Sequence, residues 1–73
     1  MRIIGMDIHR IAAEVVALTD GHLSRLGRIP MLRERLEVFA REQLTHDDHI
    51  VVEATGNAAT VVRILSPYVD ASW

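Results

Sequence analysis

The chain contains no cysteine among its 73 residues. Neither a disulfide framework nor a thiolate metal site can form, which excludes the small disulfide-stapled secreted proteins and fits a reducing, cytoplasmic setting. No apolar run approaches the roughly 20 residues that a membrane-spanning helix needs. The first residues are no signal peptide, because Asp7 interrupts them before an apolar core can form. We therefore expect no membrane partner and a cytoplasmic location.

Lysine is missing as well. The eight basic residues are all arginines, and with ten acidic residues the formal net charge is −2. Free-standing nucleic-acid-binding domains are usually basic, so this balance argues against one. It remains compatible with a metal-dependent nuclease core, because bound cations offset local acidic charge.

The length allows at most one small domain, near the lower limit for a core that is stable alone. Hydrophobic residues nevertheless make up 49% of the sequence, and the mean hydropathy is +0.16. A soluble domain this short should need a larger fraction of polar residues to cover its core. We interpret the excess as apolar surface that is covered by further chain or by a partner.

Alternating apolar residues in the first part of the chain predict a strand over residues 2–8 and another over 11–18. Within the first strand, a period of two places Asp7 on the face opposite to Ile4 and Met6. Asp20 and Gly21 then separate the second strand from a more polar third strand over residues 22–29. Because Asp-Gly between two such runs is a strong hairpin signal, we expect an antiparallel meander with the third strand toward an edge.

After Pro30 the period becomes helical. The predicted apolar stripe consists of Leu32, Leu36, Phe39, Ala40 and Leu44. The run 50–52 is typical of a strand buried on both faces, and it leads directly into Glu53. A second helix is predicted to begin near Asn57, a good N-cap, and to stop at Pro67, with residues 68–73 as the start of a further strand. The order is β-β-β-α-β-α, an α/β fold in which the crossover helix makes the fourth strand parallel to the first in a mixed sheet.

Two acidic residues, Asp7 and Glu53, end otherwise apolar strands. If these strands are parallel neighbours, both carboxylates lie at the same sheet edge, where Mg²⁺ can take one or two carboxylates plus waters and substrate phosphate. Two such ions about 3.5–4 Å apart can drive phosphodiester chemistry. The simpler interpretation of either acid alone is a solvated residue at a loop mouth. The pairing favours the metal site, since ligands prefer the carboxyl ends of such strands.

The residues around these acids carry a family resemblance. Segment 4–9 (IGMDIH) is similar to the opening of RuvC-like nucleases, and segment 52–56 (VEATG) resembles a motif of the DEDD transposases of insertion sequences. The resemblance covers nearly the whole chain but only the front of that family's nuclease domain. It implies an RNase H-like (RuvC-like) fold, with Asp7 and Glu53 as the first two acids of the D-E-D-D set, both catalytic and metal-binding.

The resemblance also implies a function for the parent protein. Members of this family are transposases or recombinases of bacteria and archaea that act on DNA with Mg²⁺ (or Mn²⁺). Some are guided by a structured RNA, and the parent is expected to be a homo-oligomer. The last two aspartates of the set and the serine-bearing second domain have no counterpart here, and Asp70 comes too early. We therefore expect residues 1–73 to be a truncated N-terminal part that is catalytically incomplete alone.

Weaker candidates for nucleic-acid contact flank the two acids. His9 and Arg10 follow Asp7 and can reach phosphate, although such loop residues are usually only solvated. A second group precedes the last predicted helix, whose N-terminus can hold a phosphate, although a plain capped turn is the simpler interpretation. This group comprises Thr55, Gly56 and Asn57.

Two alternative functions remain open. One is a non-enzymatic remnant that self-associates or pairs with the full-length protein, which exposed edge strands and surplus apolar residues would favour. The other is a fragment of an actin-like ATPase or sugar kinase, which also opens with Gly-x-Asp. Those folds need a glycine-rich phosphate loop after the aspartate, and here the next glycine is Gly21. We rank this alternative last.

Overall fold

The computed structural model describes residues 2–54 and 58–69. These residues form a small α/β domain in the predicted order β-β-β-α-β-α. The strands are β1 (Arg2–Ile8), β2 (Ala12–Thr19), β3 (His22–Pro30) and β4 (Asp48–Ala54). The helices are α1 (Arg33–Gln43) and α2 (Ala58–Leu65), and a short 3₁₀-helix spans Ser66–Tyr68.

The four strands form one mixed sheet in the order β3-β2-β1-β4. The pairs β1–β2 and β2–β3 are antiparallel, whereas β4 is parallel to β1. Helix α1 supplies the crossover between β3 and β4, as a parallel connection requires. The predicted meander and the predicted parallel pairing of the first and fourth strands are both confirmed.

The β2–β3 hairpin forms at the predicted position. Thr19 faces His22 at its end, and the two residues between them have positive φ, 50° at Asp20 and 81° at Gly21. A two-residue hairpin loop of type I′ needs positive φ at both central positions, which aspartate tolerates and glycine adopts without strain. The Asp-Gly pair therefore sets the register of the hairpin.

One face of the sheet packs against both helices and carries the core. The sheet contributes Ile4, Met6, Ile8, Ala13, Val15, Ala17 and Ile50 to the core, and α1, α2 and their flanks contribute Leu36, Phe39, Ala40, Leu44, Val61, Ile64, Leu65 and Val69. The alternation along β1 and the stripe along α1 account for most of these residues. Both helices therefore cover the same side of the sheet. Among the described residues, no helix covers the other side.

We call this other side the open face. Its residues are Ile3, Gly5 and Asp7 of β1, Glu14, Val16 and Leu18 of β2, Leu23, Arg25 and Arg28 of β3, and His49, Val51 and Glu53 of β4. The prediction that β4 is buried on both faces is wrong, because Val51 is 52% exposed there. The surplus of apolar residues in the sequence thus corresponds in part to an uncovered sheet surface.

Two predictions at element ends are wrong. The helical stripe predicts that Leu32 is buried, but it is 61% exposed, because it precedes α1 in an extended conformation. β3 extends one residue beyond the predicted span 22–29, since Pro30 pairs with Ala12 at the end of an edge strand. Tyr68 belongs to the 3₁₀-helix and not to a strand. The proposed cap Asn57 and the tail residues 70–73 lie outside the described residues.

Candidate metal site at the ends of β1 and β4

The two predicted acids lie side by side. Asp7 and Glu53 are direct partners across the parallel β1–β4 pair, each one residue before the end of its strand. Both are exposed on the open face. Neighbouring strands are about 4.8 Å apart, so the two carboxylates are within reach of a single cation. The pairing follows from a crossover that makes β4 parallel to β1, as the sequence predicted.

A third carboxylate extends this row. Glu14 on β2 is the antiparallel partner of Asp7, on the opposite side of Asp7 from Glu53. Glu14 is not among the residues that the sequence predicts for the site. The sequence does contain a signal for Glu14. If Ile8 and Ala13 are partners at the β1–β2 turn, then Asp7 before Ile8 and Glu14 after Ala13 are also partners, and both lie on the other face.

Two arginines of β3 hold the Glu14 carboxylate. Arg25 Nη2 lies 3.1 Å from Glu14 Oε2, and Arg28 Nη1 lies 3.5 Å from Glu14 Oε1. Both oxygens of Glu14 are therefore engaged on the β3 side. A carboxylate already paired with two guanidinium groups is a poor ligand for a cation on its other side. This leaves Asp7 and Glu53 as the candidate ligand pair.

The turn after β1 places a histidine against the first acid. His9 Nε2 lies 3.2 Å from Asp7 Oδ2. The backbone N–H of His9 donates to the carbonyl oxygen of Ala12 at 2.9 Å, which closes the turn. Arg10 is exposed in the same turn. A cation on Asp7 would compete with His9 for the same oxygen.

The ligand set fits a weakly held, hard cation. Within residues 2–54 and 58–69, no group of three or more His, Asp or Glu side chains is arranged to hold a metal ion. Mg²⁺ is commonly bound through one or two carboxylates, with waters and substrate phosphates in its other positions. Asp7 and Glu53 meet that minimum. Three of the predicted phosphate-contacting residues, Thr55, Gly56 and Asn57, lie outside the described residues.

A shallow open cavity of about 350 Å³ adjoins the two acids. Gly5 lines it between Val16 and Val51, and Asp7 and Glu53 lie at one end. A methyl group at Gly5 would lie 3.2 Å from Val16 Cγ2, tighter than most contacts of this kind. The absence of a side chain at Gly5 therefore makes room for Val16 Cγ2 and helps to keep the cavity open.

No protein-family model, curated protein or solved structure matches this chain at a significant level. Among the helices of the described segments, none is long and apolar enough to cross a membrane.

Proposed function

We propose that this chain is the N-terminal part of an RNase H-like (RuvC-like) nuclease domain of a DEDD-type transposase or recombinase. In this proposal Asp7 and Glu53 bind Mg²⁺ (or Mn²⁺) for DNA strand chemistry. The observation that carries it is the direct pairing of Asp7 with Glu53 at the carboxyl ends of two parallel strands. Neighbouring carboxylates at that position can bind a divalent cation, and the bound cation can in turn contact a phosphodiester oxygen.

The topology adds support. The resemblance of the sequence to this family implies an RNase H-like fold, and the sequence pattern predicts a β-β-β-α-β-α order with the first and fourth strands parallel. The observed sheet order β3-β2-β1-β4 has that property. The first acid motif, segment 4–9, occupies the second half of β1 and the turn after it, and the second motif begins in β4 at Val52. Asp7 and Glu53, the acids of the two motifs, therefore lie side by side at one end of the sheet.

Each residue near the site has a separate role in this proposal. Asp7 and Glu53 would hold the cation, which supplies polarisation of a phosphoryl oxygen and a more acidic bound water. His9 and Arg10, in the turn beside Asp7, would contact backbone phosphates of DNA, which position a substrate without reading its sequence. For the parent protein we propose a homo-oligomeric assembly, a structured guide RNA as a partner, and a location in the bacterial or archaeal cytoplasm.

The chain should be catalytically incomplete by itself. Only two of the four acids of the D-E-D-D set have counterparts, and Glu14 is held by Arg25 and Arg28. We therefore expect weak cation binding and little or no cleavage of DNA by these 73 residues. Robust metal-dependent cleavage by the purified chain would contradict this expectation.

Metal binding tests the proposal directly. In a titration with Mn²⁺, paramagnetic broadening of backbone amide signals should concentrate at the ends of β1 and β4. Asp7→Asn should weaken binding by about tenfold while leaving the fold intact, because a site with two carboxylates depends strongly on each of them. The matched control is Glu34→Gln, which removes an exposed carboxylate in the first turn of α1. Equal affinities for the wild type and Asp7→Asn by calorimetry would show that the site assignment is wrong.

A further inference from the structure

Three charged residues of β2 and β3 form a cluster on the open face. Arg25 and Arg28 lie on edge strand β3, and Glu14 lies on β2 as the direct partner of Arg28. Arg25 Nη2 donates to Glu14 Oε2 at 3.1 Å, and Arg28 Nη1 lies 3.5 Å from Glu14 Oε1. Two guanidinium groups thus bind the two oxygens of one carboxylate, and the positive charges of the cluster outnumber the negative one.

A β-bulge brings the two arginines to the same face. Side chains alternate along a regular strand, so residues three positions apart, such as Arg25 and Arg28, would point to opposite sides of the sheet. The register of β3 shifts next to Gly27, whose φ is 125°. Arg25 is therefore the partner of Val16 and Arg28 the partner of Glu14, both on the open face. Bulges of this kind are over-represented next to active sites, where they redirect a side chain.

Both guanidinium groups are open to solvent. The side chains of Arg25 and Arg28 are 74% and 60% exposed, whereas that of Glu14 is 33% exposed. Each guanidinium group has five N–H donors in a planar fork, and one carboxylate cannot satisfy the donors of both. An anion in solution can therefore reach the two arginines and compete with Glu14 for them.

We propose that Arg25 and Arg28 bind a phosphate of the DNA backbone, and that Glu14 occupies this site when no DNA is bound. Guanidinium groups bind carboxylate and phosphate in the same two-pronged way, through two parallel N–H···O contacts. The Glu14 carboxylate thus marks the position that a phosphate takes when it displaces Glu14. The oxyanion chemistry follows from the cluster itself, whereas the choice of DNA rests on the proposed function.

The position of the cluster favours DNA over free phosphate. Arg28, Glu14 and Asp7 are successive partners in one row across the sheet, so Arg28 and Asp7 are about 9.6 Å apart. A DNA strand carries one phosphate for roughly every 3.4 Å of helix axis. One strand can therefore place one phosphate at the arginines and another beside the cation at Asp7 and Glu53.

Displacement of Glu14 would change the cation site. Glu14 is the antiparallel partner of Asp7, and such partners have Cβ atoms about 4.5–5.5 Å apart. Once released, its carboxylate becomes a third oxygen ligand beside Asp7 and Glu53, which strengthens cation binding. DNA and the cation would then each raise the affinity of the chain for the other by the same factor. The site would become complete only when the substrate is bound.

DNA binding in a chelator tests the phosphate site without any metal. Fluorescence anisotropy of a labelled short DNA duplex, at low ionic strength, should show that Arg25→Gln with Arg28→Gln raises the dissociation constant by about tenfold. Arg33→Gln with Arg41→Gln is the matched control, because it removes the same charge from exposed positions of α1. Circular dichroism establishes that the variants are folded. Equal weakening by both pairs overturns the site, and displacement of the duplex by equimolar inorganic phosphate overturns DNA as its ligand.

Removing the internal competitor gives the opposite sign in the same assay. Glu14→Gln frees both guanidinium groups, so DNA affinity should rise by about fivefold. Glu53→Gln removes the same charge from the same face but lies three strands away from β3, so its effect should stay below about twofold. Equal rises would mean that Glu14 does not occupy the site, which overturns the proposal.

The coupling to the cation is tested with Mn²⁺. Its affinity is followed through paramagnetic broadening of the Asp7 amide signal, so that Mn²⁺ on the DNA itself is not counted. DNA should raise this affinity about tenfold in the wild type and less than about threefold in Glu14→Gln. Equal increases overturn the release of Glu14. Absence of broadening at Asp7 with and without DNA contradicts the proposed function, whereas the chelator experiments decide on the phosphate site separately.

Discussion

The Arg2 guanidinium and the Asp48 carboxylate form a two-point ion pair at the start of β1 and β4. Arg2 Nε donates to Asp48 Oδ1 at 2.9 Å, and Arg2 Nη2 donates to Asp48 Oδ2 at 2.7 Å. Asp48 is only 2% exposed and is the one buried charged residue among the described residues. The backbone N–H of Thr45 donates to the same carboxylate at 2.8 Å.

This ion pair sets the register on which the candidate site depends. Arg2 and Asp48 are direct partners across the parallel strands, and five residues further along each strand the partners are Asp7 and Glu53. Because side chains alternate between faces, a slip of one residue would move Glu53 to the core face. A buried, well-oriented ion pair at one end of the strands therefore positions the exposed acids at the other end.

Removing the arginine should destabilise the fold. Arg2→Ala leaves the Asp48 carboxylate buried with only the Thr45 N–H as a partner, and it removes the hydrogen bond to the carbonyl oxygen of Gln43. We expect a loss of about 2–4 kcal/mol in the free energy of unfolding, measured by urea denaturation. The control is Arg33→Ala, which breaks the exposed pair with Glu37 and should cost less than about 0.5 kcal/mol. Equal losses would contradict a special role for Arg2.

The free energy of unfolding should fall in acid because the Asp48 carboxylate becomes protonated. Burial raises the pKa of Asp48, but the hydrogen bonds from Arg2 and the Thr45 N–H outweigh this and hold that pKa below its ordinary value of 3.8. The unfolded chain therefore takes up the proton at a higher pH than the folded chain does. The stabilisation is complete above pH 3.8 and disappears as the pH falls through the lower, folded-state value.

Comparing the wild type with Asp48→Asn across this range isolates the contribution of Asp48. The variant should be less stable by about 1–3 kcal/mol near neutral pH, because the charge-assisted hydrogen bonds are lost. The difference should shrink below pH 3.8, where the Asp48 carboxyl of the unfolded wild-type chain takes up a proton before that of the folded chain does. A difference that stays constant down to acid unfolding would contradict the assignment.

The bulge in β3 should depend on its glycine. Gly27 has a φ of 125° next to the register shift opposite Val15 and Val16, and nothing lies within 4 Å of the position a methyl group would take. The cost of Gly27→Ala is therefore conformational, and we expect about 1–3 kcal/mol by thermal or urea unfolding. Gly21→Asn is the comparison: its φ of 81° is closer to values that asparagine adopts, so the loss should be smaller.

Releasing Glu14 should strengthen cation binding. With Arg25→Gln and Arg28→Gln together, the Glu14 carboxylate is freed beside Asp7, which supplies a third oxygen ligand. We expect the affinity for Mn²⁺ to rise by about tenfold in calorimetry, since affinity follows the number of charged ligands. The same two changes in a Glu14→Gln background separate ligation from the removal of positive charge. An equal rise in both backgrounds would mean that Glu14 does not bind the cation.

Local pattern in the sequence was enough for most of the architecture and for the pair of acids. Alternation predicted β1 and β2, the Asp20-Gly21 pair predicted the hairpin, and the helical stripe predicted the buried side of α1. Connection rules then made β4 parallel to β1, which brought Asp7 beside Glu53. Each of these inferences depends on residues close together in the chain or on general rules of connection.

Only the tertiary structure determined which surfaces are covered and which charges are paired. Both helices cover the same side of the sheet, so Val51 is exposed although its sequence context is that of a buried strand. Glu14 is held by arginines of β3, and Asp48 is buried against Arg2, 46 positions away in the sequence. Burial and ion pairing depend on which distant residues come together, and the period of a single segment contains no information about its partner.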